Sequence, residues 1–292
     1  MTELINVVLP TFIVIFIGFL FGKIRKVDMS AIVEIVIYVG LPALVLTSML
    51  DKKIVLMNAA KVWGSAVMII LGCAIIAWIV FKIIRQKHSG LYVPISIMNS
   101  VNIPFPIIFL VYGSEGLFAA TLFMMPSSVL AYTMGIYIAS GKDWKGSLKE
   151  VFKIPPIYAA VLGLVLNLLD VSVPELIIRP LSIIGMMAIP LVLLVLGSNL
   201  SKIKITSLPT TLLASFLRVG VGLGFGFLAA SLFDLTGVLR AVVILDSAMP
   251  AAVNASIITT KYDNEAELVS SVVFVTTIAS LVVIPFLLNV LA

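Results

Sequence analysis

Charge is scarce in this chain of 292 residues: 11% of them are charged and 61% are hydrophobic. A soluble domain carries about 25% charged residues. The chain therefore cannot clothe itself in polar side chains, which excludes a water-soluble globule. Cysteine is limited to Cys73, inside an apolar run, so no internal disulfide can form and the thiol reads as packing. Histidine is limited to His88, in RQKHSG, which reads as an interfacial loop residue. Together these two make no structural zinc site, and no metal or cofactor is expected. HExxH, a Ser and His pair and an intramembrane aspartate pair are all missing, which leaves a membrane enzyme without machinery. The lack of an ATP-binding motif argues against a primary pump. The opening MTELINVVLPTFIVIFIGFLFG lacks a positive stretch and carries Glu3, so it reads as a first span and not as a cleaved signal peptide.

What the chain has in quantity is long apolar runs. Each bilayer crossing needs about 20 such residues. The runs predict an all-α polytopic membrane protein with ten spans, near 4–22, 30–50, 58–81, 91–111, 116–139, 155–169, 175–199, 207–233, 238–260 and 267–291. The sixth is short and is expected to tilt or to cross a thin place. Thirteen of the nineteen basic residues fall in the odd-numbered loops or their margins. By the positive-inside rule those loops are cytoplasmic and both termini lie outside, as an even number of spans requires. The net charge of +5 thus reports orientation in a plasma (inner) membrane and not a nucleic-acid partner.

SGKDWKGSLKEVFK, residues 140–153, is the longest clearly polar connection. It divides the chain into a first repeat (1–140), a connecting loop (141–154) and a second repeat (155–292). Five spans in each part force the second to run oppositely, the arithmetic of an inverted repeat. VGLPALVL at 39–46 resembles AIPLVLLVL at 188–196, with Pro42 beside Pro190. VYGSEGLFAATLF at 111–123 resembles KYDNEAELVSSVVF at 261–274, with Tyr112 and Glu115 beside Tyr262 and Glu265.

The fourth span carries NSVNIPFP at 99–106, and the ninth carries LDSAMPAAVNAS at 245–256. Backbone breakers at matching depths point to a transport site, because interrupted backbone is tolerated in lipid only where it packs in protein or lines a wet cavity. Read as kinks inside helices, Pro104, Pro106 and Pro250 free the carbonyls of Ser100, Asn102 and Asp246. Asn99, Asn102, Ser247, Asn254 and Ser256 add donors and acceptors, and a helix amino end created at mid-membrane suits an anion. The bland alternative is a pair of proline kinks with asparagines as interhelical glue. Arg218, about 17 Å into its span at 1.5 Å per residue, must face the interior with a partner. Asp246, at comparable depth on the next span, is the expected partner, directly or through water. The alternative is that Arg218 snorkels and Asp246 caps a helix. Gly220, Gly222, Gly224 and Gly226 form two GxxxG spacings that suit close helix packing.

These residues resemble the auxin efflux carrier family. NIPFPIIFLVYG is similar to its fourth span, SAMPAAVNASIITTKY with VVIPFLL to its carboxyl-terminal signature, and YVGLPALVLTSM and LVLGSNL to its second and seventh spans. Arg218 falls where members often have an arginine. The resemblance covers the whole chain, whose compact length looks bacterial. It implies two inverted repeats of five helices, a scaffold of helices 1, 2, 6 and 7 that often dimerises, and a transport domain of helices 3–5 and 8–10. Helices 4 and 9 are expected to cross at their breaks, with Pro106 at one side. Where the family often has a second proline in helix 9, this chain has Ala255. The related bile acid sodium symporters bind sodium at polar residues beside the crossing, which offers Asn99, Asn102 and Asn254 as ion ligands.

The reading is a secondary carrier of small organic anions, mono- or dicarboxylates or auxin-like acids, working by alternating access in a bilayer. Substrate binding is assigned to Asn99, Asn102, Pro104, Pro106, Arg218, Ser247, Pro250, Asn254 and Ser256. Ion coupling to H+ or Na+ is assigned to Asp246, Asn99 and Asn254. A sodium symporter of related fold, an anion channel and a non-transporting sensor are the competitors.

Overall fold

A computed structural model describes residues 2–25, 28–141 and 149–291, with side chains from residue 8 onward. Lys26, Lys142 and Lys145, and half of the connecting loop, lie outside the described residues. In chain order the helices are α1 (Thr2–Arg25), α2 (Ser30–Asp51), α3 (Leu56–Ile83), α4 (Tyr92–Ser96), α5 (Pro104–Ser140), α6 (Pro155–Leu168), α7 (Glu175–Leu200), α8 (Leu208–Leu232), α9 (Gly237–Ser247), α10 (Val253–Lys261) and α11 (Ala266–Leu291). Lipid offers the backbone no hydrogen-bonding partner, so apolar runs of this length close their own bonds as helices. Among the described residues the one departure toward β structure is an isolated antiparallel bridge, Met98 with Ala251.

Among the described residues, seven helices are long and apolar enough to cross a membrane: α1, α2, α3, α5, α7, α8 and α11. α6, at 14 residues, is shorter. The expected fourth and fifth spans meet at a kink, with a helical arm on either side of it and no loop between them. The helical bonding runs from Pro104 to Ser140 through a kink at Gly113, whose φ of 61° and ψ of −150° suit glycine alone. The expected fourth span is thus α4 plus the first arm of α5, and the expected ninth is the pair α9 and α10. Two further interruptions are milder. One π-helical turn, Val36–Gly40, lies within α2 and another, Leu217–Val221, within α8.

Small residues set the closest approaches. Gly18 and Gly22 of α1 meet Leu194 and Ser198 of α7, and Gly40 of α2 meets Ala188. On the other side Gly64 and Gly72 of α3 lie beneath the rings of Phe233 and Phe225. Of the four alternating glycines in α8, Gly222 and Gly226 press on the end of α9, whereas Gly224 faces open space. The GxxxG reading therefore holds for one spacing only. A helix presents a given face every third or fourth residue, so alternate glycines cannot share it.

The loop ahead of α4 is tied to the turn after α10. His88 Nδ1 pairs with Glu265 Oε1 at 2.6 Å, and the Gly90 N–H donates to Glu265 Oε2 at 2.8 Å. Ahead of α2, the Ser30 hydroxyl first and its N–H second bond to Asp28 and hold that carboxyl below its ordinary pKa.

Candidate functional site

α4 stops at Ser96 and the chain turns extended at once; α9 stops at Ser247, and the chain makes a further turn before it extends ahead of α10. Ile97 has φ −103° and ψ 109°, and Ala252 has φ −65° and ψ 137°. The two stretches lie antiparallel and pair with each other. The Asn99 N–H donates to the Pro250 carbonyl at 2.8 Å, and the Ala252 N–H donates to the Ile97 carbonyl at 3.1 Å. The Ala251 N–H donates to Thr276 Oγ1 of α11 at 3.1 Å. Backbone groups that no helix satisfies are thus bonded within the protein, as their depth demands.

The prolines act differently from the expectation. Pro104 and Pro106 stand in the first turn of α5, where a missing N–H leaves no bond unmade. They begin a helix and do not kink one. The carbonyl of Asp246 is not left free by Pro250, because the Met249 N–H donates to it at 3.1 Å. The pairing runs along Ile97–Asn99 against Pro250–Ala252, upstream of Pro106, where the crossing is expected. Ala255 is helical and buried, past the break.

Beside the crossing lies a cavity of about 200 Å³. α2, α5, α6, α7, the 97–102 stretch and the amino end of α10 line it. Asn99, Asn102 and Asn254 are among its lining residues; Pro104, Pro106, Ser247, Pro250, Ser256, Arg218 and Asp246 are not. Asn99 Oδ1 accepts the N–H groups of Asn102 at 2.9 Å and Val101 at 3.4 Å, while its Nδ2 is buried without a partner. Asn254 Nδ2 donates to the Tyr132 hydroxyl at 3.1 Å. Asn199 and Ser128 add further polar groups. Among the described residues no charged side chain lines the cavity. Its chemistry is that of neutral amides and hydroxyls, plus the positive end of the α10 dipole.

Arg218 and Asp246 are each 0% exposed and are not bonded to each other. Arg218 Nη1 donates to the carbonyls of Ile95 at 2.9 Å and Ser96 at 3.3 Å, and Nη2 donates to that of Ser247. The thiol of Cys73 lies beside the guanidinium. Both oxygens of Asp246 are buried without a partner. Equal depth in the sequence did not bring these side chains together, because depth says nothing about which way a helix turns a residue. Ser247 Oγ donates to the Ile244 carbonyl at 2.6 Å, under Gly226, and Ser256 Oγ is buried and unbonded.

Sequence reasoning passed over Tyr132, Ser128, Asn199 and Thr276 as site residues. LVLGSNL was singled out as a motif, and its amide Asn199 reaches the cavity. Tyr132 gave no signal beyond being polar within an apolar run.

Comparison with known proteins points to membrane transport. A model described as membrane transport protein matches residues 144–288. An uncharacterized transporter of Methanocaldococcus jannaschii is 26% identical over 298 residues, covering 96% of each chain. An uncharacterized transporter of Methanothermobacter thermautotrophicus is 26% identical over 294 residues, covering 95% of each. The chain is a multi-pass membrane protein, and its residues 144–288 match the membrane transport family of auxin efflux carriers, whose motifs its own resemble.

Proposed function

We propose that the protein is a secondary carrier of small organic anions, mono- or dicarboxylates or auxin-like acids, held in the cavity beside the crossing. The observation that carries this reading is the juxtaposition of two interrupted segments, paired by backbone bonds, with a cavity whose polar lining is uncharged. An anion there is met by the unpaired Asn99 amide, the Tyr132 hydroxyl, Asn102, Asn254 and the α10 dipole. Pro104, Pro106, Pro250, Ser247 and Ser256 shape or brace the breaks from behind the cavity.

Ten crossings in two inverted repeats explain the arrangement best. α4 ends at Ser96 and α9 at Ser247; the helices that follow begin at Pro104 and Val253. The offsets are close to that between Tyr112 and Tyr262, and positive φ recurs at Gly113 and Asp263. On this reading α1, α2, α6 and α7 form a scaffold that supports a homodimer, and the remaining helices form a transport domain that moves against it in the bilayer. Val33, Ile154, Pro156 and Asn199 line the cavity near loops rich in basic residues, so the positive-inside rule puts it toward the cytoplasm of an inner membrane, with both termini outside. Asp246 is the candidate proton carrier, as the buried carboxyl without a partner.

Purified protein should be stabilised against heat by particular organic acids, screened with and without sodium at two pH values, and the same acids should exchange across proteoliposomes. Stabilisation by none of them, or ion currents far above carrier turnover, would overturn the reading. Replacing Asp246 with Asn should remove the pH dependence of exchange; an unchanged pH profile would reject Asp246 as the carrier.

A further inference from the structure

The backbone carbonyls ending both first half-helices converge on one buried cation. Those of Ile95 and Ser96 close α4, and that of Ser247 closes α9. All three accept from the Arg218 guanidinium. Carbonyl ends of broken helices carry negative partial charge, and where two of them meet in a transporter they form a place for a small cation. Here that place holds a side chain. α8 is shaped to deliver it: the π-helical turn Leu217–Val221 contains Arg218. One turn later Gly222 leaves the room, since a Cβ there would collide with Nη2 and with the Ser247 carbonyl. The guanidinium is wholly buried and is not among the groups lining the cavity, so it is not placed to touch a solute there.

We infer that Arg218 is the resident cation of the crossing, a tethered guanidinium occupying the place where a mobile coupling cation would bind. It acts as a positioning residue, holding the two broken segments in register. The inference deepens the carrier reading by removing one driver: a cycle built on this crossing needs no sodium between the half-helix ends, which leaves protons or the membrane potential.

Two properties follow. The wild-type protein should show no specific response to sodium. Removal of the side chain should leave an empty cation site of guanidinium shape. The test is the melting temperature of purified full-length protein in detergent, with guanidinium, sodium or choline chloride at equal low concentrations. Arg218→Ala should melt lower than wild type. It should be restored saturably by guanidinium, by about 3–5 °C at ten times the dissociation constant, while choline does nothing. Wild type should gain nothing from guanidinium or sodium. Arg218→Lys should fall between the two, because an ammonium can reach fewer of the carbonyls. An Arg218→Ala protein that folds yet ignores guanidinium overturns the inference. So does a wild type stabilised saturably by sodium over choline, which is decisive even if Arg218→Ala cannot be purified. These measurements need no substrate. Guanidinium rescue without transport of any acid would sink the carrier reading alone, and acid transport without rescue would sink this inference alone.

Discussion

The two sides of the crossing are built from opposite chemistry. On one side Arg218, 0% exposed, gives its hydrogen bonds to three backbone carbonyls, under the close contact of Gly222 and Gly226 with α9. On the other side a cavity is lined by asparagine amides and the Tyr132 hydroxyl, with no charge among its lining residues. On the proposed reading the fixed charge braces the backbone, and neutral dipoles are left to meet the solute. A carrier must release what it binds, and a cationic side chain in the cavity would hold an anion in a low-dielectric site too firmly to let it go. Dipoles attract an anion more weakly, and they are already oriented by the backbone breaks.

The sharpest difference between the two sides should come from bulk at the closed one. Gly226→Leu collides with Ser247 and should cost about 3 kcal/mol or more, seen as loss of a monodisperse species in size-exclusion chromatography. Arg218→Gln orphans buried carbonyls and should lower the melting temperature by about 10 °C, at about 3 kcal/mol or more of lost stability. On the cavity side the fold should survive while binding fails. Asn99→Asp keeps the oxygen that caps the Val101 and Asn102 N–H groups but replaces the free amide with a charge, and should weaken anion affinity about 100-fold with little change in melting. Thr276→Val removes the bond to the Ala251 N–H and should cost about 1 kcal/mol, measured by thermal unfolding. The smallest effect belongs to the open face of α8, where Gly224→Ala should stabilise by about 0.5–1 kcal/mol in the same assay.

The coarse architecture was legible because membrane solvation leaves large marks. Long apolar runs and alternating loop charge announce helices that cross a bilayer, and clustered prolines and asparagines at 99–106 and 245–256 announced both breaks. The finer geometry left weaker marks or none. Met98 and Ala251 pair through backbone groups, which carry no side-chain signature. Pro104 marks both a kink and a helix start equally well by type, and only the path of the preceding residues decides between them. Arg218 and Asp246 share a depth, yet the turn of each helix sent the arginine to carbonyls and left the carboxylate unbonded. Gly113 divides the two expected spans by a kink and not by a loop, a distinction that no hydropathy window makes. Tyr132 and Asn199 are single polar residues in apolar helices, and nothing periodic distinguishes them from interhelical contacts.

Cysteine accessibility tests the shared cavity most directly, because Cys73 is the chain's single cysteine and is buried. Cysteines placed at Asn254 or Asn102 in oriented membrane vesicles should react with a membrane-impermeant maleimide from the cytoplasmic face, and a bound acid should slow them. A cysteine at Leu245, buried in α9, should not react from either face. Silence at Asn254 and Asn102 from both faces, or reaction only with a lipid-soluble reagent, would mean that the crossed segments are sealed or turned to lipid and hold no solute.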